Sequence, residues 1–238
     1  MKSKFGLLEK LEFLQTFSSS LISSINPAVI HNIEKYLAIK KSVYLNSLEN
    51  QNGDYIEFGV YKGSSFCHAI KCFKSCKRFN SNQKKTNFFG FDSFQGFGDL
   101  NADEKHSFYK NENFKSNYNK VKKRVEKTMK GWSEFKLIKG YFEQTLLHNP
   151  SYYGIKNVRV AFIDSDTYSS SKLAFIFLEK IVSPGTHIIL DDFFSYNGDE
   201  NKGVAKAFSE FIENTSFNYR KIFDYGMGGI VIVLTNKK

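Results

Sequence analysis

From Tyr55 onward, short apolar runs alternate with helix-length amphipathic stretches, and this alternation limits the folds open to the chain. Tyr55–Gly59, Asn87–Phe91, Phe135–Ile138, Val158–Ile163 and His187–Leu190 read as strands. Helical patterns separate them at Ser64–Phe73, Phe142–Leu147, Ser170–Ile181 and Val204–Ile212. The later strand runs are almost continuously apolar, as parallel strands buried on both faces must be. The spacing therefore predicts an α/β fold: a doubly wound, Rossmann-like sheet, mostly parallel. Tyr219–Phe223 and Gly229–Leu234 read as two closing strands, an antiparallel pair at the C-terminus. Ligands in such sheets bind at the carboxyl ends of the strands, so the chemistry is expected there.

Residues 1–50 read as an N-terminal helical extension capping the domain at 51–238. Apolar residues recur at helical spacing there, and Pro27 after Asn26 marks a helix start. These apolar helices offer a surface for a homo-oligomer contact. A long polar stretch between the second and third strands, 99–130, reads as a lid insertion. Glu9, Lys10 and Glu12 interrupt any apolar leader, and no run approaches the ~20 apolar residues of a membrane span. No membrane association is expected, and the chain reads as cytoplasmic.

The net charge of +10 first suggests an acidic partner. Its source is lysine, however; arginine occurs only at Arg78, Arg124, Arg159 and Arg220. Nucleic-acid readers favour arginine for bidentate contacts, so no nucleic-acid partner is expected. Cys67, Cys72 and Cys76 read as packing thiols. His68, Cys72 and Cys76 could share a helix face, but three such positions span about 12 Å, too far for one zinc.

Three strand ends carry candidate chemistry. After the first strand comes Glu57-Phe-Gly59-Val-Tyr-Lys-Gly63-Ser64, where glycines let a ligand approach the backbone. An acid before the first glycine would repel phosphate and suits an ammonium; a structural turn explains the glycines as well. After the second strand, Asp92-Ser93 offers a carboxylate for ribose hydroxyls, or a helix cap. Asp164-Ser165-Asp166 and Asp191-Asp192 end the fourth and fifth strands, which should lie side by side. Carboxylates gathered there repel one another unless a cation compensates, and an all-oxygen set suits Mg²⁺, Mn²⁺ or Ca²⁺.

Taken in order, DYIEFGVYKGSS, FFGFDSFQGF, KGYFEQTL, AFIDSDTYSSS and SPGTHIILDDF resemble the macrocin O-methyltransferase (TylF/MycF-like) family, which methylates sugar hydroxyls. The family pattern D-G-D-x-Y-x-S-T stands here as Asp164-Ser-Asp166-Thr-Tyr168-Ser-Ser-Ser171, with Ser165 in place of glycine. The resemblance implies a class I methyltransferase fold, S-adenosylmethionine as donor and Mg²⁺ (or Mn²⁺) as metal. It implies Asp164, Asp191 and Asp192 as metal ligands, with Asp166 in a supporting position. It also implies a donor site built from Glu57, Gly59, Gly63 and Ser64 at the methionine end. Asp92 and Ser93 would take the ribose, and Gly140, Tyr141 and Phe142 would flank the adenine.

The expected reaction is transfer of a methyl group from S-adenosylmethionine to a hydroxyl of a sugar or glycosylated small molecule. Asp164 is the first candidate for the base that takes the hydroxyl proton; His68 is a distant second. The alternative is a metal-dependent nucleotide-sugar glycosyltransferase using Asp164-Ser165-Asp166 as a D-x-D motif. That alternative leaves Glu57-Phe-Gly59 and the Asp191-Asp192 pair without a role. A binding module that kept the fold without catalysis is the second alternative.

Overall fold

Parallel pairing of the apolar runs sets the architecture. The computed structural model describes residues 11–77, 86–98, 100–106 and 111–237. Among them, β1 (Asp54–Phe58), β2 (Phe88–Asp92), β3 (Phe135–Lys139), β4 (Val158–Ile163), β5 (His187–Leu190), β6 (Phe217–Tyr225) and β7 (Gly229–Asn236) form one sheet. Its order is β3-β2-β1-β4-β5-β7-β6. β1 to β5 are mutually parallel, and β7 runs antiparallel between β5 and β6. This is the expected doubly wound sheet with its antiparallel C-terminal pair. Strand order reverses at β1, which pairs with both β2 and β4, and that is where such sheets open a crevice.

The helices are α1 (Glu12–Ser23), α2 (Pro27–Leu48), α3 (Ser64–Cys76), α4 (Tyr118–Met129), α5 (Phe142–Thr145), α6 (Tyr168–Leu178) and α7 (Gly203–Asn214). Side chains of a strand alternate between faces, so each strand feeds two cores. Val160 and Phe162 of β4 pack with Ile39 and Val43 of α2, Phe66 and Ile70 of α3, and Val125 of α4. Ala161 and Ile163 pack with Phe177 and Leu178 of α6 and Val204 and Phe208 of α7. Every residue of β4 is buried, which explains its unbroken apolar run. Each large side chain so buried contributes about 1.5–3 kcal/mol.

Two N-terminal helices precede the sheet, as expected. The Asn26 side chain accepts the Ala28 N–H at 2.9 Å and Pro27 opens α2, whose second half enters the core through Ala38, Ile39 and Val43. α1 buries none of its residues and leaves Phe13, Phe17 and Leu21 exposed. The part of the expected first helix before residue 11 lies outside the described residues.

The stretch expected as a lid divides in two. Its second half is α4, with Val121, Val125 and Met129 buried one helical turn apart. That stripe was hidden in the sequence by the lysines around it, and it docks the helix beside α3. The first half holds single 3₁₀ turns at Ala102–Glu104 and Asn111–Phe114. Within it, 99 and 107–110 lie outside the described residues. No helix among the described residues is long and apolar enough to cross a membrane.

Candidate active site

Backbone pairing brings three strand ends together. The Asp164 N–H donates to the Phe58 carbonyl at 2.9 Å, and the Asp191 N–H donates to the Ile163 carbonyl at 3.0 Å. Gly59 sits against Asp164 with φ +92°, and a Cβ there would overlap the Asp164 carbonyl. Only glycine combines that backbone angle with that contact. Asp164 and Asp191 thus stand one residue beyond neighbouring strands, β4 and β5.

Their side chains then diverge. Asp164, Asp166 and Asp192 each bring a carboxylate oxygen within 4.8 Å of the other two. Asp166 reaches this position from a left-handed backbone, φ +60°. Ser165, where the family has glycine, has no such angle; its hydroxyl is buried against that of Ser171 at 2.9 Å. Asp191 turns the other way. The Tyr225 hydroxyl donates to its Oδ1 at 2.8 Å, while Lys35 Nζ and His31 Nε2 lie 2.5 and 3.4 Å from its Oδ2. Lys35 also donates to Asp164 Oδ2 at 3.1 Å.

The electrostatics follow this split. Burial, then repulsion from Asp191, pushes the Asp164 carboxyl well above the ordinary carboxylate range, with Lys35 opposing. Burial and the charge of Asp192 do the same to Asp166. Asp192 is raised by burial and by Asp191, partly offset by a hydrogen bond from Asp166. Burial works against ionised Asp191 too, but Lys35 and His31 outweigh it and hold that carboxyl below its usual range. Asp166, Asp164 and Asp192 form a carboxylate group short of positive charge, and Asp191, bridged to Asp164 through Lys35, stands beside it. Oxygen donors in that number and spacing fit a hard divalent cation.

The cluster lines a cavity of about 510 Å³. Gly59, Asp92, Ser93, Tyr141 and Phe142 line it from β1, β2 and the turn after β3. Asp164, Asp166, Asp191 and Asp192 line it from β4 and β5. Asp92 Oδ2 accepts the Tyr61 N–H at 2.7 Å and Oδ1 the Phe94 N–H at 2.5 Å. The carboxylate is thereby fixed at the cavity wall.

Other expected donor residues stand behind that wall. Glu57 shares a strand face with Tyr55, not with the cavity. It is fully buried, and accepts the Tyr55 and Ser65 hydroxyls at 2.6 Å each. Gly63 begins α3 at φ +73°, and Ser64 Oγ accepts from Arg124 at 3.0 Å. Gly140 donates its N–H to the Asp92 carbonyl at 3.0 Å, tying the turn after β3 to β2. His68 stacks on Tyr36 at 4.4 Å between ring centroids, remote from the strand ends.

Several cavity residues escaped the sequence reading. Ala28, His31, Asn32 and Lys35 all line it from α2. Their spacing of three, four and seven residues marks one helix face, and it was the available signal. Glu104 was also missed. It is buried, and accepts the Ser169 N–H at 2.6 Å at the start of α6.

Comparison with solved structures finds the same fold in several methyltransferases. The O-methyltransferase NovP superposes with a TM-score of 0.67 at 20% identity, covering 84% of this chain and 79% of that one. The calicheamicin methyltransferase CalS11 gives 0.68 at 15% identity, over 98% and 93%. An O-methyltransferase from Bacillus cereus, in complex with SAH, gives 0.54 at 13% identity, over 99% and 93%. Comparison with curated proteins gives no match. The model of the macrocin O-methyltransferase (TylF) family matches residues 34–219, from the middle of α2 into β6. The chain belongs to that family and is an S-adenosylmethionine-dependent O-methyltransferase.

Proposed function

We propose that the protein methylates a hydroxyl of a sugar or glycosylated small molecule with the help of a divalent metal. One observation carries this: a donor half and a cation-poor carboxylate cluster share a single cavity. Family membership and the similarity to CalS11, a TDP-rhamnose 3'-O-methyltransferase, support a sugar acceptor. Sugar transfer through a D-x-D motif has no observation in its favour.

Asp92 takes the ribose hydroxyls of the donor, and Tyr141 and Phe142 flank its adenine. Gly59 lets the donor approach the end of β1. Glu57, set behind the wall, holds Ser65 and with it the start of α3. Asp164, Asp166 and Asp192 would hold Mg²⁺ or Mn²⁺, which supplies a Lewis acid able to lower the pKa of acceptor hydroxyls. Asp164 follows β4, the strand beside β1, so it is the cluster carboxylate nearest the donor half. It takes the proton as the hydroxyl oxygen attacks the methyl carbon and the sulfonium leaves as a neutral thioether.

Calorimetry with S-adenosylhomocysteine tests the donor half. The wild type should bind, and Asp92→Ala should bind more weakly by about 1.5–3 kcal/mol, the worth of hydrogen bonds to a charged group. Equal affinity in the variant would remove Asp92 from the donor site.

A further inference from the structure

Among the described residues, the four aspartates at the ends of β4 and β5 are met by one ammonium, and it comes from outside the sheet. Lys35 lies on α2, on the helix face that lines the cavity. Its Nζ is 2.5 Å from Asp191 Oδ2 and 3.1 Å from Asp164 Oδ2, with the side chain only 12% exposed. The ring of Phe162 lies 5.7 Å below it. Tyr225 and His31 complete the partners of Asp191. The remaining carboxylates, Asp166 and Asp192, have no contact with Lys35, and Asp164 is shared between the two groups.

We propose that Lys35 is a resident counter-cation of the active site: it occupies Asp191, takes part of the charge of Asp164, and so weakens and positions the binding of the divalent ion. This rests on the metal reading above. Lys35 is a positioning residue here, acting through Asp164 and Asp191. A lysine ammonium is charged at neutral pH, and here two carboxylates lie within 3.1 Å of it. A fixed positive charge beside the cluster opposes a second cation. It also keeps Asp191 turned from the other three. Without it, only Tyr225 and His31 hold Asp191 apart from them.

The test is a calorimetric Mg²⁺ titration of the full-length wild type, Lys35→Gln, Lys35→Met and Lys35→Arg. Both neutral variants should bind Mg²⁺ at least about tenfold more tightly than the wild type. Lys35→Arg keeps the charge and should stay within about threefold. S-adenosylhomocysteine binding, measured in parallel, reports that each variant is folded. Neutral variants that are folded and bind Mg²⁺ no more tightly than the wild type overturn the proposal. Tighter binding by Lys35→Arg overturns it too. A neutral variant that folds only with Mg²⁺ shows the same coupling in a stronger form, and one that Mg²⁺ cannot rescue counts against it. Wild type that binds no Mg²⁺ while Lys35→Gln does would sink the metal reading of the natural enzyme and this proposal with it. If no variant binds Mg²⁺, both fall.

Discussion

Glu104 and Ser169 join the loop after β2 to the helix after β4: Glu104 Oε1 accepts the Ser169 N–H at 2.6 Å, and Oε2 accepts the Ser169 hydroxyl at 3.1 Å. Ser169 lies in the first turn of α6, immediately after the Asp164-Ser165-Asp166 motif. A carboxylate there meets the unpaired N–H groups and the positive end of the helix. The Tyr196 hydroxyl donates to the Glu104 carbonyl at 3.1 Å and holds the same loop from the β5 side.

Glu104→Ala should release this loop. The cost should be about 1.5–3 kcal/mol, as for a hydrogen bond to a charged group. Hydrogen exchange should speed up across 100–106, with α4 unaffected, and the KM for the acceptor should rise more than the affinity for the donor falls. Unchanged exchange across that loop would show that other contacts hold it.

Gly59→Ala should damage fold and donor site together. The substitution demands a strained φ of +92° and places a methyl group against the Asp164 carbonyl. We expect a loss of about 3 kcal/mol or more, read as a lower thermal midpoint, with weakened S-adenosylhomocysteine binding. A variant as stable as the wild type would mean that β1 and β4 can separate at little cost.

Glu57 should make stability depend on pH in a definite direction. Burial raises its carboxyl from the ordinary 4.5 to about 7, despite hydrogen bonds from Ser65 and Tyr55 that act to lower it. Between those values the folded chain holds a proton that the unfolded chain has lost. Its contribution is therefore fully present below the lower value and lost as pH rises through the upper one. Glu57→Gln cannot titrate. From pH about 4 to about 8, wild type should lose about 3 kcal/mol relative to the variant in paired denaturant melts. Parallel pH profiles would place the carboxylate in a better-solvated setting.

The strands and the aspartate-bearing strand ends were legible because burial on both faces writes an unbroken apolar run. Val158–Ile163 and His187–Leu190 were bounded to the residue for that reason. The direction of the aspartate side chains was not legible. Asp191 and Asp192 are neighbours in sequence, but Lys35, His31 and Tyr225 approach Asp191 from α2 and β6. Those partners are distant in sequence, and their helix shows apolar residues all around it. α4 was hidden for a similar reason: Val121, Val125 and Met129 form a narrow stripe in a lysine-rich stretch. Glu57 was placed near the strand end, but its burial against the Tyr55 and Ser65 hydroxyls was not foreseen.

The carboxylate cluster is proposed to work with a divalent ion during methyl transfer. The most direct measurement is transfer of a labelled methyl group from S-adenosylmethionine to a panel of glycosylated small molecules, with Mg²⁺ and with excess EDTA, alongside calorimetric donor binding. Chelation should abolish transfer, Mg²⁺ should restore it, and donor affinity should barely change, because the proposed donor residues Asp92, Tyr141 and Phe142 line the cavity from outside the cluster. Asp166→Asn and Asp192→Asn should fail to recover with Mg²⁺. Undiminished transfer in excess EDTA would contradict the account and return Asp164, Asp166 and Asp192 to metal-free roles.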